Sequence, residues 1–416
     1  VTSLLAALLA LIGTPLFVVI AALALLQFHW AGIDLTAVFI EMYRLAQTPT
    51  LAAIPLFAFT GFVLAESGAP GRLVRFSRTL LGWLPGGLAI VAILVCALFT
   101  ALTGASGMTI VALGGLLYPA LLKNRYPDGF SLGLLTTSGS LGLLFPPSLP
   151  LILFGIIAQA PIDQLFVAGI APGLLLVAAL SLYSFFQGRR ETVRENASPG
   201  QVRAVLRESL WELLLPVVIF GGIYSGLIAV SEAAALSALY ALIVEMAIHR
   251  EIKISQLPAI MRDCMVLVGG ILIVLAAALA YTNYLIDAEV PMRLLAFIEG
   301  HITSRLVFLI LLNLFLLAVG CMIDMFSALV VVVPIILPIA QAYDVHPIHL
   351  GIIFLTNLEI GYSTPPVGLN LFIASMRFEK PVLRLYVASL PFLLILLLCL
   401  LVITYFPSLS LFLVES

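Results

Sequence analysis

Residues 142–154 read GLLFPPSLPLILF. Two adjacent prolines, Pro146 and Pro147, interrupt a run otherwise apolar enough to cross a membrane. A proline inside a helix lacks the N–H that closes the preceding turn and clashes with it, at a cost of about 3 kcal/mol. In hydrocarbon, the carbonyls released by the break have no water to bond. The same break returns as STPPVGLNLFI at 363–373. A costly feature written twice points to a function located at the breaks.

The surrounding composition sets the class. The chain has 416 residues, 62% hydrophobic and 10% charged, with a mean hydropathy of +1.21. Soluble domains carry about 25% charge, so this is an all-α polytopic membrane protein in the lipid bilayer. Candidate spans cover 3–27, 51–66, 130–160, 165–187, 211–227, 232–248, 264–285, 349–375 and 384–406. The first run is too long for a signal-peptide core and lacks a basic lead-in, so it reads as a true span. Lysines and arginines collect in loops 67–84, 123–129, 188–210, 249–263 and 376–384, which the positive-inside rule makes cytoplasmic. Nothing points to nucleic acid. Cys96, Cys264, Cys321 and Cys399 lie in or beside apolar segments without metal spacing, as small buried hydrophobes do. Segment 34–46 and linker 188–210 read as amphipathic surface helices.

Laying the second proline pair on the first gives an offset of 219 residues, and neighbours hold it. Gly361 falls on Gly142, Asn357 on Ser138 and Pro338 on Pro119. The stretch CMIDMF (321–326) falls on LTGASG (102–107). Each half therefore carries two short apolar stretches around a small or polar tip, followed by a broken helix. Counting crossings between the copies gives opposite orientations. Inverted repeats with paired broken helices mark the binding site of secondary transporters. The short pairs, 86–122 and 305–341, return to their starting side either as re-entrant hairpins or as two crossings. Halves of roughly 24 Å against a core of ~30 Å favour hairpins.

The stretches LTGASGMTIVALGGLLYPAL (102–121), GLLTTSGSLGLLFPPSLPLILFG (133–155) and IGYSTPPVGLNLFI (360–373) resemble the large membrane subunit of TRAP (tripartite ATP-independent periplasmic) transporters. The resemblance runs over nearly the whole chain. It implies a sodium-driven importer of organic acids such as C4-dicarboxylates or sialic acid, in the bacterial inner membrane, working by an elevator motion. It implies two partners, a small four-helix membrane subunit and a periplasmic substrate-binding protein. No further four-helix block precedes 1–85, which suits the separate large subunit. The expected division is scaffold 1–85, transport half 86–164, scaffold 165–303, transport half 304–378 and a C-terminal helix, 379–416.

The resemblance implies two Na⁺ sites, one at each tip and break. Sodium prefers hard oxygen ligands, and unwound backbone supplies carbonyls. The first nest comprises Thr103, Gly104, Ala105 and Ser106 facing Ser138, Gly139, Gly142 and Pro146. The second comprises Gly320 and Asp324 facing Thr356, Asn357, Gly361 and Thr364. Substrate between tips and breaks points to Ser106, Ser148 and Asp324. A carboxylate inside a span is a functional candidate by default. Asp324 is expected to accept hydrogen bonds from substrate hydroxyl or amine groups while Na⁺ offsets its charge. Glu359, opposite Ser140 in the repeat, stands near the second cation site or pairs within the domain. No lysine or arginine lies in either cluster, so sodium and helix N-termini near Ser148 and Val367 must neutralise an anion.

Other classes fit less well. Gly104-Ala105-Ser106-Gly107 matches the GxSG of rhomboid proteases, whose serine needs a histidine base. His29, His249, His301, His346 and His349 all lie in loops or at span ends. A channel has no use for two unlike inverted clusters. A stand-alone sodium–dicarboxylate symporter of similar plan is a nearer alternative, separated by whether uptake needs a binding protein. No P-loop GxxxxGK[ST] occurs, and no enzymatic role is expected.

Overall fold

A computed structural model describes residues 14–188 and 199–414. Every regular element among the described residues is helical. Eight helices are long and apolar enough to cross a membrane, and one bent pair adds a ninth span. Residues 3–13 of the first expected span and 189–198 of the linker lie outside the described residues. The remainder appears as helices Leu16–Trp30 and Pro199–Glu208, and the expected surface helix as Thr36–Ala46.

The central body is built from eight helices. In the first half, α1 (Gly87–Thr103) and α2 (Ser106–Lys123) form a hairpin with a two-residue tip. They are followed by α3 (Asp128–Ser138), a 3₁₀ turn at Leu141–Leu144, and α4 (Leu149–Ala158). The axis bends by 45° at this break. In the second half the series recurs as α5 (Arg305–Met322), α6 (Met325–Ala342), α7 (Pro347–Gly361) and α8 (Leu369–Phe378). The Pro146–Pro147 and Pro365–Pro366 bonds are both cis.

Packing pairs the halves crosswise. The first helix of each hairpin packs on its own broken helix: α1 on the 3₁₀ turn, α5 on α7. The second helix packs on the other half, α2 on α8 and α6 on α4. Ser140 Oγ donates to the carbonyl of Glu359, 219 residues away, at 3.4 Å. Residues equivalent by offset thus touch at the centre, as two halves related by a pseudo-two-fold axis do. Phe154 and Phe354 stack nearby with centroids 6.3 Å apart.

Around this body stand helices Ala53–Glu66, Val230–Leu242 and Leu257–Asp287, packed on one another. Helix Val382–Tyr405 packs against α3, α7 and α8.

Two expected loops are helices. Residues 67–84, read as a basic loop, contain Ala69–Leu81, and 286–304 contain Val290–Glu299. Arg72, Arg75 and Arg78 recur at helical spacing, and Pro70 sits in the first turn, where its missing N–H costs nothing. Arg72 is only 4% exposed. Its guanidinium meets Glu212 at 2.5 Å, Glu251 at 2.6 Å and Glu245 at 2.8 Å. It acts as a buried tie between the helix Ala69–Leu81 and the segments that carry Glu212, Glu245 and Glu251, and only part of the loop's positive charge faces water.

Candidate functional site at the hairpin tips

At the first tip, α1 ends on Gly104 with φ +68°. A Cβ there would lie 2.6 Å from Leu149 Cγ, so both conformation and space require glycine. The Gly61 backbone of helix Ala53–Glu66 abuts Thr103 from the scaffold side. Inside the hairpin, Thr100 Oγ1 donates to the Gly139 carbonyl at 2.7 Å, and Thr109 Oγ1 lies 2.6 Å from Thr100 Oγ1. Two hydroxyls and a break carbonyl thereby converge. Thr100 and Thr109 escaped the sequence reading, although Thr100 lies one turn before Thr103 on the same face.

The expected first-nest residues surround this cluster. Thr103 Oγ1 is buried without a partner among the described residues. Ser138 Oγ donates back to Leu134 O at 2.6 Å. Gly139 packs against Ile110, and Gly142 against Ala97, Thr100 and Ala101. Pro146 and Ser148 are buried. Ser106 Oγ donates to Asn370 Oδ1, from the other half of the chain, at 2.8 Å.

The second tip is built differently. Asp324 caps α6, its carboxylate accepting from Ser327 N at 3.0 Å. It is exposed. Met325 N donates to Tyr362 Oη, and Gly368 N donates to the Cys321 carbonyl at 3.0 Å. These bonds tie the tip to the second break. Gly320 and Gly361 meet backbone to backbone, and a Cβ on Gly361 would lie 2.6 Å from the Gly320 carbonyl carbon. Asn357 lies one turn earlier in the same interface and donates to Asn313 Oδ1 at 2.7 Å. Asn313 in turn donates to Thr404 Oγ1 at 3.1 Å. The hydroxyls of Thr356 and Thr364 turn back onto Ile352 O and Ile360 O. Both carboxylate oxygens of Glu359 are buried without a partner among the described residues.

Between the tips lies a cavity of about 400 Å³. Gly104–Met108 line it from the first tip, Asp324–Phe326 from the second, Leu143 and Pro150 from the first break, and Tyr362, Leu369 and Ile373 from the second. Phe62 and Leu267 close it from the scaffold side. Ser106 and Asp324, two of the three expected substrate residues, therefore share one cavity. Ser148 does not line it, because Leu149 packs on Gly104. No lysine or arginine lines it among the described residues. The two breaks also differ in cover: the first is buried, whereas Pro365, Pro366 and Val367 are exposed.

A family model described as the tripartite ATP-independent periplasmic transporter, DctM component, matches residues 3–409. The C4-dicarboxylate TRAP transporter large permease protein DctM of Pseudomonas aeruginosa is 34% identical over 374 residues, covering 89% of this chain and 88% of that one. The isethionate TRAP transporter permease protein DctMQ of Oleidesulfovibrio alaskensis is 35% identical over 417 residues, covering 98% of this chain and 65% of that longer one. The ectoine/5-hydroxyectoine large permease protein UehC of Ruegeria pomeroyi is 30% identical over 411 residues, covering 97% and 96%. Among solved structures, the YdaH transporter of Alcanivorax borkumensis matches in fold, with a TM-score of 0.61 at 14% identity over 88% of each chain.

Proposed function

The chain belongs to the DctM family, the large permease component of TRAP transporters and a multi-pass protein of the inner membrane, and from that premise we propose that it imports a small organic anion together with sodium. The observation that carries this reading is the cavity where both hairpin tips and both helix breaks meet, with Phe62 and Leu267 of the surrounding helices as its far wall. A site at the boundary of two bodies is what an elevator needs. One body, comprising 86–164 and 304–378, slides with its ligands past the scaffold.

The residues fit sodium. Thr100 Oγ1, Thr109 Oγ1 and the Gly139 carbonyl are hard oxygens already gathered at the first break. Thr103 Oγ1 adds an unpartnered oxygen there. At the second break, the Asn357 side-chain oxygen and the Glu359 carboxylate are likewise unpartnered. When bound, Na⁺ would supply the positive charge that the lining lacks. The protein's part is to hold break carbonyls open and to aim the N–H groups of α2 and α8 at the anion. Relatives named for C4-dicarboxylates, isethionate and ectoine bracket the ligand class as small molecules bearing a carboxylate or sulfonate. A small membrane subunit and a periplasmic binding protein complete the system, the latter delivering substrate from outside.

Co-reconstitution with both partners tests the reading, with organic acids offered with and without an inward sodium gradient. Uptake should require the gradient and the binding protein. Asp324→Ala should abolish it and leave the subunit complex intact on gel filtration. Uptake by the large subunit alone would instead favour a stand-alone symporter. Sodium-independent uptake would remove the proposed driving ion.

A further inference from the structure

A serine hydroxyl has one proton, and at Ser106 its destination is fixed. Ser106 Oγ lies 2.8 Å from Asn370 Oδ1, and the two residues are 264 positions apart. Asn370 is fully buried in the first turn of α8, where its own N–H bonds the Tyr362 carbonyl at 3.0 Å. The tip has little freedom to leave this partner, since a Cβ on Gly107 would lie 2.7 Å from Ile373 Cδ1 on the same helix. With its proton committed to Asn370, Ser106 turns only lone pairs toward the cavity.

We propose that Asn370 is a positioning residue. It pins the first hairpin tip to the second helix break and makes Ser106 an acceptor, so that Ser106 contacts a cation and not a carboxylate oxygen. This inference rests on the cavity being the transport site. It also divides the work of the two cavity-lining polar residues, leaving the anion to backbone N–H groups. A direct substrate role for Asn370 is the competing outcome, since its Nδ2 is buried without a partner among the described residues.

Two nearly isosteric variants separate the roles. Asn370→Asp keeps the acceptor and loses the Nδ2 donor, whereas Asn370→Leu loses both. Sodium affinity is read on purified protein from radioactive-sodium binding and from sodium-induced thermal stabilisation. Substrate KM is read in proteoliposomes at saturating sodium. Asn370→Leu should weaken sodium binding about tenfold, the scale of one hydrogen bond, with KM unchanged. Asn370→Asp should bind sodium at least as tightly as wild type. In a Ser106→Ala background, adding Asn370→Leu should cost nothing further, because the contact is already gone. Undiminished sodium affinity in a folded Asn370→Leu protein overturns the proposal. So does a raised KM in Asn370→Leu at saturating sodium, which would assign Nδ2 to the substrate. Either result leaves a sodium-dependent wild type standing. Loss of sodium dependence in the wild type itself would instead overturn the proposed driving ion.

Discussion

Replacing Gly361 with alanine probes the joint between α5 and α7. The added Cβ would sit 2.6 Å from the Gly320 carbonyl carbon, 2.7 Å from Gly320 Cα and 3.0 Å from Cys321 N. All three are backbone atoms, so no side chain can swing away. Carbon atoms rest at about 3.5–4.0 Å, and the helices must part by about 1 Å. Overpacking of this kind costs about 1–3 kcal/mol. The same displacement pulls on the Gly368 N to Cys321 O bond and on the Met325 N to Tyr362 Oη bond, each worth about 0.5–1.5 kcal/mol. The expected loss is therefore about 2–6 kcal/mol, together with weaker sodium binding at the second break. Gly269→Ala is the control, because a Cβ there meets nothing within 4 Å and helix propensity favours alanine by up to about 1 kcal/mol. Thermal unfolding of the two variants, with and without sodium, reads both effects. A Gly361→Ala protein as stable and as sodium-responsive as Gly269→Ala would refute the close-packed joint.

Thr100→Val removes the donor to the Gly139 carbonyl and should lower sodium affinity severalfold, measured by sodium titration of uptake, with the helix hairpin intact by circular dichroism. Ser148→Ala should leave substrate KM unchanged, since Leu149 screens that hydroxyl from the cavity; a large rise in KM would return it to the binding site. Arg72→Met strands the carboxylates of Glu212 and Glu245 in the interior and should cost about 3–5 kcal/mol of stability, partly restored by adding Glu245→Gln. Burial acts to raise the Glu251 carboxyl, but hydrogen bonds from Arg72 and the Gly68 N–H outweigh it and hold the group below its ordinary range. Its contribution is therefore present above about pH 4.3 and is lost as pH falls through the lower folded value. Glu251→Gln should accordingly narrow the gap in unfolding temperature between neutral and acid buffer.

How much the sequence disclosed depends on the range of the interaction. The breaks were legible because proline acts on its own turn, and both fall where the residues put them. The paired helices of each tip were legible as two apolar stretches around a small or polar turn, but three of the four arms run to 18 residues and are long and apolar enough to cross a membrane. Arg72 was misread for the opposite reason. The positive-inside rule treats an arginine as solvated, and its carboxylate partners lie 140, 173 and 179 residues away. Asn370 was passed over as part of an apolar half-helix, because its partner on the other hairpin appears only once the halves cross-pack. Asp324 was noticed for its charge in an apolar run, whereas its capping of α6 shows that part of that signal is local.

The two proline pairs, alike in sequence, end in different surroundings, and the difference locates the open side of the site. Each break is packed by the first helix of its own hairpin and by half-helices of the other repeat, so internal contacts alone would cover both equally. The first break gains its extra cover from helix Ile162–Gly188, whose Gly169 abuts the Leu144 carbonyl and whose Gly173 abuts the Phe145 ring. The second has Tyr362 and Asn370 beneath it but leaves Pro365, Pro366 and Val367 exposed, with Val367 at 42%. Helix Ile162–Gly188 lies outside the repeated body, so part of the asymmetry comes from where that body rests against its neighbours. A body that slid along those helices would exchange such contacts without changing its own fold. Under the sliding motion proposed above, the closed first break and the open second break would correspond to one position of that body.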